Sequence, residues 1–303
     1  MTDQDLSQAD VDEIRAFLTR TCEDAGRWLP GTGWRPAWQS EAEGEVRNSE
    51  LRADGSPWGG DPVRTAYAAA TVFLFAALDA LLALRDSVSV SSTSYVPGVL
   101  SRAAMEAGSQ AFWLLEPGIG ARRRVIRSVL VRAGSAANLK ETVEAVDPAE
   151  TVSAYGEDPA TIEAYAQGLA LVYAAKKDQN GRKALECEGE RLPTYTARAV
   201  ALETGMKMSA GYRIYSGSAH AELYSVMQSW RKTTSGMAAP LERWCDREAV
   251  WAAALASAGF VMMPAFRALT LLDLRARLWE MVRSMQAIGT MTRQMKLPSA
   301  WRY

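Results

Sequence analysis

The chain contains a single histidine, His220, which follows Arg213 by seven residues. Seven residues make close to two turns of an α-helix, so a helical segment would point both side chains the same way. A guanidinium can hold a phosphate, and an imidazole titrates near neutral pH, so this pair is suited to proton transfer at a phosphate. Ser209, Ser216 and Tyr224 continue the polar face at helical spacing. The alternative interpretation is a histidine satisfied in the core or at an interface, with Arg213 in a salt bridge.

A second polar pair, Arg102 and Glu106, stands at the i,i+4 spacing of a helical ion pair. A carboxylate near His220 could select the tautomer of the imidazole, and near Arg213 it could orient the guanidinium. Glu106 is therefore a candidate catalytic residue and Arg102 a candidate substrate-binding residue. The alternative is a purely structural ion pair on a half-buried helix.

Arginines also cluster at positions 122, 123, 124, 127 and 132. Arg124 and Arg127 share one face of a helix, so both could hold phosphates of a substrate. The alternative is a solvated charged face with no ligand.

These residues resemble the motifs of the HEPN superfamily, whose members are helical bundles that include toxin and phage-defence ribonucleases. Arg213 and His220 resemble its arginine–spacer–histidine motif, with six residues between them. The segments 215–221 and 100–108, with a following tryptophan and arginine run, are similar to uncharacterised bacterial relatives of that superfamily. The resemblance covers residues 63–290. It departs at Ile214, where the motif often has a polar residue.

The resemblance implies metal-independent RNA cleavage, in which a ribose 2′-hydroxyl attacks the adjacent phosphate. His220 would act as general base or acid, and Arg213 would stabilise the charge of the phosphorane. Ser216 and Tyr224 would contact the substrate, and Glu106 would assist the histidine. The resemblance also implies a homodimer, in which two protomers supply two histidines. A degenerate relative that binds RNA without cutting it remains an alternative.

The composition limits the other function classes. The 34 basic and 35 acidic residues give a net charge of −1, which argues against binding nucleic acid through a global field. The three cysteines have no CxxC spacing, which predicts reduced thiols in a cytoplasmic protein. With one histidine and no cysteine pair, no zinc site is expected, and we predict no cofactor.

The periodicity predicts an all-α fold: a single large helical bundle at 63–303, preceded by a helix and an irregular extension at 1–62. The extension has a Trp-, Gly- and Pro-rich segment at 29–62, which we expect to pack against the body of the protein. Two stretches, 66–84 and 249–274, are apolar enough to cross a membrane. We interpret both as buried core helices and predict no membrane partner.

Helix signals and breakers divide the chain further. We predict a loop at 178–193 and helices at 8–28, 62–86, 95–116, 121–145, 158–177, 194–231, 241–264 and 265–295. The segment at 194–231 is predicted to be kinked at Gly205 and Gly211.

Two other functions remain open from the sequence. The 12 methionines and 10 tryptophans permit an apolar pocket that binds or transforms a small hydrophobic metabolite. Such a protein would have the shape of a terpene cyclase without the aspartate-rich metal motif. The third hypothesis is an interaction module with no chemistry.

Overall fold

The computed structural model describes residues 6–28, 36–47, 50–90, 95–146, 156–177, 183–206, 212, 230–232, 241–243, 247–272 and 286. These residues are mostly helical, which confirms the all-α prediction. The helices are α1 (Gln8–Trp28), α2 (Glu41–Val46), α3 (Asp61–Ser87), α4 (Tyr95–Leu114), α5 (Gly120–Val146), α6 (Pro159–Gly168), α7 (Tyr195–Gly205) and α8 (Arg247–Leu271). The strands are β1 (Tyr173–Lys177), β2 (Lys183–Cys187), β3 (Glu190–Arg191), β4 (Trp230–Lys232) and β5 (Leu241–Arg243).

The chain divides into two compact units, and this division differs from the predicted boundary at residue 62. The first unit comprises the described residues of Met1–Gly33, Ala70–Trp113 and Tyr195–Tyr303, and the second those of Trp34–Ala69 and Leu114–Thr194. Each unit is assembled from segments far apart in sequence, because helices bury apolar faces against any complementary element.

The core of the first unit forms around α8, which is buried along almost its whole length. Phe260 of α8 packs with Met105 and Phe112 of α4 and with Leu202 of α7. Gly108 of α4 makes this packing possible, since a Cβ there would lie 2.1 Å from the carbonyl oxygen of Phe260. A side chain of any size at that position would force the two helices apart.

Pro264 lies inside α8, so the predicted break between 264 and 265 is wrong. A proline removes one helical hydrogen bond. Here Val261, Met262 and Ala265 around it are all buried, and the packing of these side chains offsets the loss. Phe17 of α1 packs on Trp251 near the other end of α8, with ring centroids 5.8 Å apart.

The second unit contains α5, α6 and an antiparallel sheet in the order β1-β2-β3. In that sheet Tyr173 pairs with Cys187 and Lys177 with Lys183. Trp58 is buried, and its indole N–H donates to the carbonyl oxygens of Leu51 and Leu169, at 3.0 and 3.2 Å. Within the Trp-rich segment, Trp58 is thus packed as predicted, whereas Trp38 is 68% exposed and Trp34 lies outside the described residues.

The predicted helix 158–177 is too long, and the predicted loop 178–193 contains β2 and β3. Asp158 does cap a helix, since its carboxylate accepts from the backbone N–H of Ala160, but α6 ends at Gly168. The alanines and lysines of Tyr173–Lys177 favour a helix in isolation. Strand pairing with Lys183–Cys187 supplies the backbone hydrogen bonds instead, so tertiary context outweighs local propensity.

The helical segment predicted at 194–231 lies only in part within the described residues. It begins as α7, which ends at Gly205, one of the two predicted kinks. Its predicted end is wrong, because 230–232 forms β4 paired with β5. The predicted start of the next helix at 241 falls in β5, and α8 begins at Arg247.

Within the described residues, α3 and α8 are long and apolar enough to cross a membrane by length and composition. The most apolar 18-residue window of α8 is 78% buried and that of α3 is 44% buried. A core helix of a folded protein passes the same test, so these two helices alone are weak evidence for a membrane.

Candidate functional site

Four of the predicted site residues lie outside the described residues: Arg213, Ser216, His220 and Tyr224. Tyr212, which directly precedes Arg213 in the chain, is described. The candidate site of the first unit is therefore built from Tyr212 and the side chains that hold it.

Arg102 and Glu106 form the ion pair that their spacing predicts. The Nε of Arg102 lies 2.7 Å from Oε1 of Glu106, and the two side chains are 16% and 26% exposed. Burial disfavours the charge of Arg102, but the hydrogen bonds and charge interactions with Glu106 and Tyr212 together outweigh it, so the pKa of Arg102 is raised.

Tyr212 is held at three points. Its hydroxyl donates to Oε1 of Glu106 at 3.0 Å, and its backbone N–H donates to Oε1 of Glu203 on α7 at 2.5 Å. Its ring lies in the hydrophobic core beside α4, α7 and α8. Burial, together with the carboxylate of Glu106, raises the pKa of Tyr212, so the phenol keeps its proton for the hydrogen bond.

Arg198 of α7 brings a second guanidinium close to Glu106. The residue is 4% exposed, and its guanidinium carbon lies 4.7 Å from the ring centroid of Tyr195 and 5.9 Å from that of Trp113. Burial lowers the pKa of Arg198, and the negative charge of Glu106 acts in the opposite direction. Glu106 is thus paired with Arg102 and also interacts electrostatically with Arg198.

The arrangement is a half-buried polar centre in which one carboxylate accepts from a guanidinium and a phenol. Hydrogen bonds in such poorly solvated surroundings are stronger than in water and reinforce one another. The centre fixes the backbone at Tyr212, the residue that precedes Arg213 in the chain. Sequence patterns did not single out Tyr212 and Arg198, because their partner Glu106 is distant along the chain.

Arg124 of the second unit has a structural environment. It is fully buried; its Nε and Nη2 lie 2.6 and 2.9 Å from the two carboxylate oxygens of Glu45. Its Nη1 donates to the carbonyl oxygen of Leu114 at 2.5 Å, and the Tyr67 hydroxyl donates to Glu45 at 2.9 Å. Burial disfavours the charge of Arg124, but the hydrogen bond to Glu45 and the charges of Glu45 and Glu41 act together against burial, and the pKa of Arg124 is raised.

Arg127 is engaged in the same way. Its Nε lies 2.7 Å from Glu190 and its Nη1 lies 2.6 Å from Glu116, while its side chain is only 4% exposed. Arg122 on the same helix pairs with Glu50 and Glu188, at 2.9 Å each. These internal partners leave Arg124 and Arg127 no exposed donors for a phosphate, contrary to the prediction that they bind substrate. Sequence spacing does not reveal these glutamate partners, because all of them lie outside the helix that carries the arginines.

A groove of about 1000 Å³ opens on the surface of the second unit. Its lining is Glu41, Gly44, Glu45, Glu50, Leu51, Gly118, Gly120, Ala121 and Arg122. Charged and glycine residues dominate it, and neither tryptophan nor methionine takes part. The groove therefore does not resemble the apolar pocket that the second hypothesis requires.

Among the described residues, no group of three or more His, Cys, Asp or Glu side chains is arranged to hold a metal ion. Cys22 and Cys187 are buried free thiols, and burial raises the pKa of each to about 11. At neutral pH both stay protonated, which makes them poor nucleophiles.

No family model, curated protein or solved structure matches this chain. The functional interpretation therefore depends on the residues and contacts described above.

Proposed function

We propose that this protein is a HEPN-like, metal-independent endoribonuclease in which Arg213 and His220 carry the chemistry. One observation carries the proposal: the hydrogen bond between Tyr212 and Glu106. It joins the helix that carries Arg102 and Glu106 to Tyr212, the residue that directly precedes Arg213 in the chain. Glu106 and Tyr212 are separated by more than a hundred residues.

The three contacts of Tyr212 support this assignment. A tyrosine anchored through its ring, hydroxyl and backbone N–H has little freedom. Arg213 is the next residue, so the anchor constrains where its side chain can reach. Catalytic groups held by packing and by secondary hydrogen bonds keep the geometry that a reaction needs. Glu106 and Arg102 are accordingly positioning residues in this proposal.

The chemistry follows from the two residue types. One His220 removes the proton of a ribose 2′-hydroxyl, and the oxygen attacks the adjacent phosphorus. Arg213 pairs with the negative charge of the phosphorane, and the 5′-oxygen leaves with a proton from a second imidazole. The products are a 2′,3′-cyclic phosphate and a 5′-hydroxyl. Each chain has one histidine, so a homodimer would supply both the base and the acid.

The proposal places substrate recognition in the first unit. Ser216 and Tyr224 are retained as proposed substrate contacts, whereas Arg124 and Arg127 are left out because glutamates already occupy them. A net charge of −1 favours a local RNA-binding site over a broad basic surface.

The test compares purified wild-type protein with Arg213→Ala and His220→Ala in buffer containing EDTA. We expect wild type alone to cut single-stranded RNA, leaving 2′,3′-cyclic phosphate ends. Arg27→Ala is the control, since Arg27 is exposed and pairs only locally with Asp24, and it should cut like wild type. Equal cleavage by His220→Ala, or intact RNA in every sample, would contradict the proposal.

A further inference from the structure

Tyr195 is a partly exposed aromatic residue of the first unit, and its ring packs against a buried guanidinium. It opens α7 and is 40% exposed. One helical turn later, Arg198 places its guanidinium 4.7 Å from the centroid of the Tyr195 ring. Arg198 thus covers one face of the ring, and the exposed area of Tyr195 must come from the parts that Arg198 does not cover.

The guanidinium of Arg198 also lies near Trp113, 5.9 Å from the ring centroid. A buried guanidinium near two aromatic rings is held by cation–π attraction, which strengthens as water is excluded. Arg198 is 4% exposed, so it packs against the Tyr195 ring from inside the protein and does not offer itself to solvent. We call this cluster of Tyr195, Arg198 and Trp113 the stack, and Tyr195 is its exposed member.

This stack adjoins the centre built on Glu106. The charge of Arg198 acts on Glu106 and Tyr212, and Thr196, the neighbour of Tyr195, hydrogen-bonds to the side chain of Tyr212. Trp113 follows Glu106 by seven residues on α4, which is close to two turns, so both lie on one face of that helix.

We infer that Tyr195, supported by Arg198, is a stacking platform for an unpaired nucleobase, so that the substrate is single-stranded RNA. This inference rests on the proposed function. An exposed aromatic face accepts a base of any identity, because every base has a π-face. Bases of a duplex are stacked inside the helix and cannot reach such a platform, whereas bases of single strands can splay out.

The test measures binding separately from cleavage. A fluorescent single-stranded oligonucleotide with 2′-O-methyl riboses cannot be cut, because its attacking hydroxyl is blocked. Its affinity is measured by fluorescence anisotropy for wild type, Tyr195→Phe and Tyr195→Leu. Tyr195→Phe keeps the ring and should bind like wild type. Tyr195→Leu removes the ring and should bind roughly tenfold to a hundredfold more weakly.

A matched duplex of the same sequence should bind more weakly than the single strand and should not distinguish the three proteins. Equal single-strand affinity for wild type and Tyr195→Leu would overturn the inference, as would a loss with Tyr195→Phe equal to that with Tyr195→Leu. Thermal unfolding of each variant checks that the fold is intact.

Cleavage assays on the same variants separate the two proposals. Tyr195-dependent binding without cleavage by any protein would sustain the platform and end the ribonuclease proposal. Cleavage by wild type with an unchanged KM in Tyr195→Leu would sustain the ribonuclease and end the platform. Absence of both binding and cleavage in wild type would overturn both.

Discussion

Both units contain arginines paired with glutamates, but the surroundings of these pairs differ. In the second unit, the arginines of α5 have carboxylate partners on other elements; Arg124 pairs with Glu45 and Arg127 with Glu116 and Glu190. In the first unit, Glu106 pairs with Arg102, accepts from Tyr212 and interacts electrostatically with Arg198. Near this centre the first unit exposes an aromatic ring, that of Tyr195, whereas the arginines of the second unit are bonded to internal carboxylates.

The difference shows how to interpret arginines near carboxylates. A buried guanidinium stabilises the fold only while its bonded partners are present. Removing one partner leaves a buried charge without compensation. The polar centre on Glu106 holds Tyr212, which precedes the candidate catalytic residue Arg213 in the chain. This centre therefore bears on the proposed function as well as on stability. Sequence alone ranks both as possible phosphate sites, since it shows only the arginines.

The largest effect is expected from Arg124→Ala. The change leaves the Glu45 carboxylate buried without its partner, so we expect the free energy of unfolding to fall by about 3–5 kcal/mol. Urea titration followed by circular dichroism measures it. Arg123→Ala is the control: its side chain is 55% exposed and pairs with Glu190, so a loss of roughly 0–1 kcal/mol is expected. A stable Arg124→Ala variant with weakened RNA binding would restore Arg124 as a substrate contact.

The next effect concerns the packing that holds the first unit's centre in place. In Gly108→Ala the new Cβ would lie 2.1 Å from the Phe260 carbonyl oxygen, which forces α4 and α8 apart and costs about 3 kcal/mol. Gly26→Ala is the matched control, because nothing lies within 4 Å of its Cβ position on α1. That variant should gain about 0.5–1 kcal/mol from helix propensity. Equal melting temperatures for both variants would contradict the close approach.

A smaller effect on stability, but a larger one on activity, is expected at Glu106 and Tyr212. Tyr212→Phe removes the hydroxyl that bonds to Glu106 and Thr196, and Glu106→Gln weakens the bonds from both Arg102 and Tyr212. Each variant should lose about 1–2 kcal/mol of stability. Their double variant should lose less than the sum, because both changes affect the same bond. If the ribonuclease proposal holds, cleavage should fall by more than this stability loss explains. Additive stability losses would show that the two residues are not coupled.

The smallest expected effect is a loss of folding stability in the second unit at low pH. Hydrogen bonds from Arg132 hold the pKa of Glu157 below its usual 4.5, and Arg122 does the same for Glu188. The unfolded chain takes up these protons at higher pH than the folded chain does. The resulting stability is therefore present above about pH 4.5 and is lost as the pH falls through the lower folded-state pKa values.

Glu157→Gln tests this contribution. The urea midpoint of wild type should fall on acidification below pH 4.5, and the variant should show a shallower fall. The effect should be modest, since the Glu157 side chain is 47% exposed and water screens the pair. An identical pH profile for the variant and wild type would exclude this pair as a source of acid sensitivity.

Much of the helical framework follows from local sequence. The predicted helix at 8–28 coincides with α1, and those at 62–86 and 121–145 differ from α3 and α5 by a residue or two. Hydrophobic periodicity and helix capping depend on residues a few positions apart, so both can be recognised in the sequence. The pair of Arg102 and Glu106 was predictable for the same reason, since its partners are one helical turn apart.

What required the tertiary structure were the pairings over long distances in sequence. Arg124 meets Glu45 across 79 residues, and Tyr212 meets Glu106 across 106. β1 lies at the end of a predicted helix, and its hairpin partner β2 lies in a predicted loop. The sequence by itself thus determined the helices and the residue types available for chemistry. Folding decided which charges neutralise one another, because those choices depend on neighbours that only packing brings together.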